Sequence, residues 1–239
     1  MRGSVLLSFL FVGISFGSPQ GELYKSLFEN YNPSVHPGTP QSIGPVGFSI
    51  VPQCMSLSLD GQLDGHIWAR ISWMDERLMW NPEDHDGIKL LRIPIEKLWS
   101  PDITLYTKRN ENDFYGKFNA IVYNTGKVLY VPDTHVKADC SGLNTTDIWA
   151  VNECKLTYGS WTYDHQLMEL KESKRITDAD EITAYCPLQT VDVLHELKIK
   201  KYSCCEEPYS HIEYKILLQR RYLMTDKGPV YNPYLPHDD

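Results

Sequence analysis

Apolar and polar positions alternate with a period of two over most of the chain beyond residue 46. The runs "VGFSIVPQCMSLSL", "GHIWARISWMDERLMW", "NAIVYNTGKVLYVP", "CKLTYGSWTYD", "TVDVLHELKIKKYSC" and "HIEYKILLQRRYL" are rich in β-branched and aromatic residues and punctuated by Pro and Gly. Each predicts a strand or a hairpin, and "YNTGKV" predicts a tight turn in which Gly126 takes positive φ. The period changes only near the start. In "GELYKSLFENYNP", Leu23, Leu27 and Phe28 share one helical face, Tyr31 follows a turn later and Pro33 ends the run. A short amphipathic helix is expected there, followed by the connector "NPSVHPGTPQSIGP". No helical pattern separates the later strands, which excludes a parallel βαβ sheet. The predicted fold is all-β: an antiparallel, immunoglobulin-like β-sandwich behind one short N-terminal α-helix. The tail "DKGPVYNPYLPHDD" reads as irregular and exposed.

The first residues have a different pattern. Arg2 is followed by a mostly apolar run from Val5 to Phe16, with Ser15, Gly17 and Ser18 at its end. This is the layout of a secretory signal peptide over residues 1–18, too short to span a bilayer. It predicts a secreted, extracellular chain whose single domain occupies 19–239. No other stretch is long and apolar enough for a membrane span. The net charge of −8 disfavours nucleic acid as a partner and favours cations. An even count of six cysteines in a secreted chain points to disulfides, though six allow 15 pairings.

Two of those cysteines are adjacent, in "YSCCEEPY". A bond between Cys204 and Cys205 would bridge Cα atoms about 3.8 Å apart, below the usual span of a disulfide. Zinc ligation is a second possibility, although structural sites space their cysteines more widely. Pairing of each with Cys54 and Cys186 is a third. The flanking Tyr202 and Tyr209, together with Tyr106, Trp161 and Trp68, supply ring faces of the kind that attract a quaternary ammonium. Enzyme signatures are missing. "GSW" is not a nucleophile elbow. "LHELK" has Ile199 where a zinc-protease helix needs its second His. "EDHDG" lacks the ligand periodicity of a calcium loop. No cofactor or metal is expected.

Taken together, the motifs resemble a known family. "YSCCEEPY" closely resembles the loop that caps the agonist site in acetylcholine-binding proteins and nicotinic receptor α-type subunits, the Cys-loop family. "GSWTYD" and "LWSPDITLY" resemble two further loops of that site. "NYNPSVHP" resembles the segment after the family's N-terminal helix, and "WARISWMDERLMWNP" its complementary strand. The resemblance runs in order from about residue 22 to 222.

It implies a homopentamer with a small cationic amine, such as acetylcholine or a nicotine-like compound, bound between neighbouring copies. The principal face would be Tyr106, Trp161, Tyr202 and Tyr209, with Cys204–Cys205 as a vicinal disulfide at the lid. The complementary face would be Trp68, Arg70, Ile121, Leu129 and Val131. Cys140–Cys154 matches the disulfide that names the family, but its enclosed "SGLNTTDIWAVNE" departs from the apolar receptor loop and resembles the soluble binding proteins. That loop carries the Asn144-Thr145-Thr146 sequon, a glycosylation site at Asn144. With those pairs assigned, Cys54 and Cys186 remain and are expected to pair. Arg70 would place a positive charge near the cage, offset by Asp178, Asp180 or Glu181. The alternative reading is an oligomeric secreted scaffold, a plasma-type protein with a degenerate pocket.

Overall fold

The computed structural model describes residues 18–38, 44–107, 118–140, 143–144, 146–173 and 186–235. Residues 1–17 of the segment expected to be a signal peptide, and the acidic residues Asp178, Asp180 and Glu181, lie outside these, whereas Ser18 is described. The helix, α1, spans Pro19–Phe28. It starts two residues before the expected "GELY", because the Ser18 hydroxyl caps the Gly21 N–H and Pro19 needs no hydrogen-bond partner in the first turn. Leu23 is fully buried, and Leu27, Phe28 and Tyr31 pack on the core beside it.

The body is a β-sandwich. One sheet is ordered β3 (Leu90–Pro94), β5 (Asn119–Tyr123), β6 (Thr125–Tyr130), β2 (Gln62–Met79), β1 (Val46–Leu57), β9 (Leu170–Glu172), with β7 (Asp133–Asp139) also paired to β2. The other is ordered β10 (Leu188–Lys200), β11 (Tyr209–Arg220), β8 (Asn152–Ser160), β4 (Ile103–Leu105). Pairing is antiparallel in both except for β1 with β9, which run parallel. Along β2 the alternation is strict: Leu63, Ile67, Ala69, Ile71 and Trp73 face the core, while Asp64, His66, Trp68, Arg70, Ser72 and Met74 face outward. Gly65 is needed where β1 bulges between Pro52 and Met55, because a side chain there would strike the Cys54 carbonyl and Met55. Gly126 turns β5 into β6 with φ of 80°.

Phe48 of one sheet meets Tyr158 and Tyr214 of the other, with ring centroids 5.0 and 6.1 Å away, and the Tyr214 hydroxyl donates to the Phe48 carbonyl. Two disulfides join the sheets. Cys140–Cys154 links the end of β7 to β8, and Cys54–Cys186 links β1 to the chain entering β10. Some strands were hidden in the sequence because they are short or too polar. In β7 only Thr134, Val136 and Ala138 turn inward, between Asp133, His135, Lys137 and Asp139.

The tail differs from expectation. Instead of irregular chain, β12 (Tyr222–Thr225) and β13 (Gly228–Tyr231) form a hairpin. Gly228 supplies positive φ, Tyr222 packs edge-on against Tyr231, and the buried Asn232 amide donates to the Arg220 carbonyl. The short strands and the isolated Gly-Pro step concealed this pairing.

Candidate functional site

The site is built on the four-stranded sheet, at the end where β4, β8 and the β10–β11 hairpin come together. Tyr106 follows β4 directly, and its backbone N–H donates to the Thr157 carbonyl of β8. Its hydroxyl donates to the Ser160 carbonyl at 2.5 Å. The ring lies over Gly159: a Cβ there would fall 2.7 Å from Tyr106 Cζ, so glycine is the residue that permits the approach. Burial, reinforced by Tyr202, Asp102 and Tyr209, pushes the Tyr106 phenol up to about 12.

Trp161 follows β8. Its ring meets Tyr106 edge-to-face at 6.2 Å and is 73% exposed. The backbone on either side of it is held firmly by Asp102. One Asp102 carboxylate oxygen accepts from Ser160 Oγ at 2.5 Å, and the other accepts from Thr162 N–H at 2.8 Å and Thr162 Oγ1 at 2.7 Å. Ser160 Oγ accepts in turn from Tyr163 N–H. Sequence reasoning missed Asp102; the signal was an acidic residue just after Pro101, in a segment already read as part of the site. Below this loop, Trp99 Nε1 donates to the Tyr163 hydroxyl, and His36 packs against both rings.

That layer is anchored to the segment after the helix. The Tyr31 hydroxyl donates to the fully buried Asp75 and accepts from Trp99 N–H, while Arg77 bridges Asp75 and stacks over the Tyr31 ring at 4.4 Å. Burial raises the Tyr31 phenol first, with Asp75 adding to it, and the Asp75 hydrogen bonds raise Arg77.

The hairpin ladder runs to Lys200 opposite Tyr209, so residues 201–208 form the tip. Cys204 and Cys205 are bonded to each other, and Cys205 N–H donates to the Tyr202 carbonyl to close a turn. Tyr202 and Tyr209 meet edge-to-face at 6.1 Å, both half-buried. The hairpin is tied to the Trp161 loop by His165 N–H donating to the Pro208 carbonyl, and by Ser210 Oγ bridging Met168 and Leu170. Two neighbours went unnoticed in the sequence. Lys200 Nζ sits 4.8 Å over the Tyr202 ring. His211 is buried 6.3 Å from Tyr106; burial lowers its pKa, as do Lys198 and Lys200.

Tyr106, Trp161, Tyr202 and Tyr209 therefore form one cluster within the chain. Trp68, Arg70, Ile121, Leu129 and Val131 do not join it. They are half-buried on the outer face of the other sheet or at its edge. Ile121 pairs with Leu129 across β5 and β6, Ser72 lies opposite Leu129, and Trp68 lies opposite Asp133. Arg70 Nη1 donates to Ser173 Oγ at 2.9 Å. Among the described residues, no group of three or more His, Cys, Asp or Glu is placed to hold a metal ion. Nor is any helix among them long and apolar enough to cross a membrane.

Sequence comparison supplies the family. The family profile described as the neurotransmitter-gated ion-channel ligand binding domain matches residues 20–222. The chain belongs to this family. It is 30% identical over 224 residues to the bovine (Bos taurus) neuronal acetylcholine receptor subunit alpha-3, covering 90% of the chain and 44% of that subunit. It is 31% identical over 214 residues to the chicken (Gallus gallus) subunit alpha-2, covering 85% and 39%, and 29% identical over 205 residues to the trout (Oncorhynchus mykiss) subunit alpha-9-II, covering 84% and 37%. The ligand-binding domain thus spans about two fifths of the length of these relatives. In this setting the aromatic cluster and the vicinal disulfide lie on one face of a receptor-type ligand-binding domain.

Proposed function

We propose that the chain is a secreted, soluble acetylcholine-binding protein. It binds acetylcholine or nicotine-like amines between neighbouring copies of a homopentamer and catalyses nothing. The observation that carries the reading is the exposed Trp161 ring, set edge-on to Tyr106 at the same end of the sheet as the hairpin end that carries Tyr202 and Tyr209. A large ring held open to solvent by a fixed backbone is prepared for an occupant. Its ring face is the best available attractor for a quaternary ammonium, and the three tyrosines would complete the cage. Each cation–π contact is worth about 0.5–2 kcal/mol, and several around one charge support micromolar binding after ordering costs.

The second half of each pocket comes from the neighbouring copy's Trp68, Arg70, Ile121, Leu129 and Val131. Asn144 is the proposed glycosylation position: the residue is exposed, and its side-chain oxygen accepts from Thr146 N–H, Thr146 Oγ1 and Asp147 N–H, which leaves Nδ2 without a hydrogen bond among the described residues. A second reading, an oligomeric scaffold with a degenerate pocket, is favoured by Lys200, whose ammonium already lies over Tyr202.

Calorimetric titration with acetylcholine and with nicotine, alongside the oligomeric mass from light scattering, decides between them. Saturable binding with quenching of Trp161 fluorescence, lost in Trp161→Ala without loss of the oligomer, is the expected result. An intact oligomer that binds neither amine would leave the scaffold.

A further inference from the structure

At the far end of the sandwich from the aromatic cluster is a half-open cleft of about 240 Å³. It is lined by Ser58, Leu59, Leu143, Asn144, Ile148, Asn152 and Arg220. Arg220 is the unusual member. It ends β11, is only 7% exposed, and carries a guanidinium with five N–H donors. Among the described residues one acceptor meets it, the Leu57 carbonyl, bonded to Nη2 at 2.6 Å. No carboxylate among them pairs with it. A buried charge without a counter-charge is strongly unfavourable, and proteins normally pair it.

The other charged and polar groups nearby are already engaged. Asn152 accepts from Asn144 N–H and donates to the Ala150 carbonyl, and Ser58 Oγ bonds Asp60 and accepts from Gln62 N–H. Neither Asn152 nor Ser58 carries a charge that could offset Arg220. Leu59, Leu143 and Ile148 give the cleft its apolar lining, and Leu59 is 66% exposed. A single cationic anchor beside an apolar wall selects for a small molecule with an anionic head and a short hydrocarbon tail.

We propose that this cleft is a second ligand site, which takes a small amphipathic monocarboxylate with its carboxylate on Arg220 and its tail against Leu59, Leu143 and Ile148. A planar carboxylate matches the guanidinium fork with two parallel hydrogen bonds, which a chloride ion cannot make. The site is independent of the amine cage, so it stands or falls apart from the reading of that cage.

The test is thermal unfolding of the full chain in sodium hexanoate, acetate, phosphate and chloride at matched ionic strength. Each buried methylene strengthens binding roughly four-fold. Hexanoate should therefore give a saturable rise in Tm with an apparent affinity at least about ten-fold tighter than acetate, and chloride should give none. Arg220→Gln should abolish the response. Because that variant also loses the bond to Leu57, Leu59→Glu is the companion: it keeps Arg220 and tethers a carboxylate on the exposed wall. It should weaken the hexanoate response by about ten-fold or more. Equal shifts in all salts, a larger shift with phosphate than with hexanoate, or an unchanged hexanoate response in Leu59→Glu would each overturn the proposal.

Discussion

Asp102 sets the position of Trp161, and replacing it by alanine isolates that role. The carboxylate accepts three hydrogen bonds, from Ser160 Oγ, Thr162 N–H and Thr162 Oγ1, at 2.5, 2.8 and 2.7 Å. Hydrogen bonds to a charged group contribute about 1.5–3 kcal/mol each when buried. Asp102 is half-buried and the freed donors can reach water, so about 2 kcal/mol in total is the reasonable loss. A domain of this size should then melt about 4–8 °C lower. If the proposed cage is correct, the ligand must re-order the loop on binding, and its affinity should fall about 30-fold. Thr162→Val removes one of the three bonds and keeps the N–H, so it should show about a third of the free-energy effect. The assay is calorimetric titration with acetylcholine, paired with acrylamide quenching of Trp161 as a readout that needs no ligand. Wild-type quenching, melting temperature and affinity in Asp102→Ala would show that the carboxylate does not position the tryptophan.

Other expectations follow from the same geometry. Gly159→Ala places a methyl against the Tyr106 ring; it should displace the ring and break its bond to Ser160, and an alkaline absorbance titration should show a phenol returned from about 12 toward its ordinary range. His211 has a folded pKa below its ordinary value of 6.5, chiefly from burial. The unfolded chain therefore binds the proton first, so stability should decline as pH falls below about 6.5. Urea titrations from pH 7 to 5 should show that decline flattened in His211→Gln. Cys54–Cys186 spans 132 residues and Cys140–Cys154 spans 14. Replacing the first pair by serines should cost up to about 5 kcal/mol in denaturant titrations and the second about 3 kcal/mol. A larger loss from the second pair would contradict the loop-entropy account.

The strands with clean alternation were legible because period two is a local property. Leu63, Ile67, Ala69 and Ile71 announce the buried face of β2 with no reference to its partners. The helix announced itself in the same way through Leu23, Leu27 and Phe28. β7 and the β12–β13 hairpin did not. The first pairs with β2, far away in the chain; the second is a local hairpin of two four-residue strands, largely exposed and therefore without an apolar alternation to announce it. The loops of the site were readable as motifs, but not the bonds that shape them. Nothing local to "SPDIT" says that Asp102 will reach Ser160 and Thr162, 58 and 60 residues away.

By itself, then, the order of residues determined the fold class, the family, and the four aromatic residues worth watching, because these rest on periodicity and on short motifs of fixed spacing. Only the tertiary structure decided that Tyr106 lies over Gly159, that Lys200 sits on Tyr202, and that Arg220 is buried beside a cleft with no carboxylate partner among the described residues. Those facts depend on burial and on contacts across the two sheets. Burial and long-range contact arise from packing the whole chain, and no local window of sequence contains them.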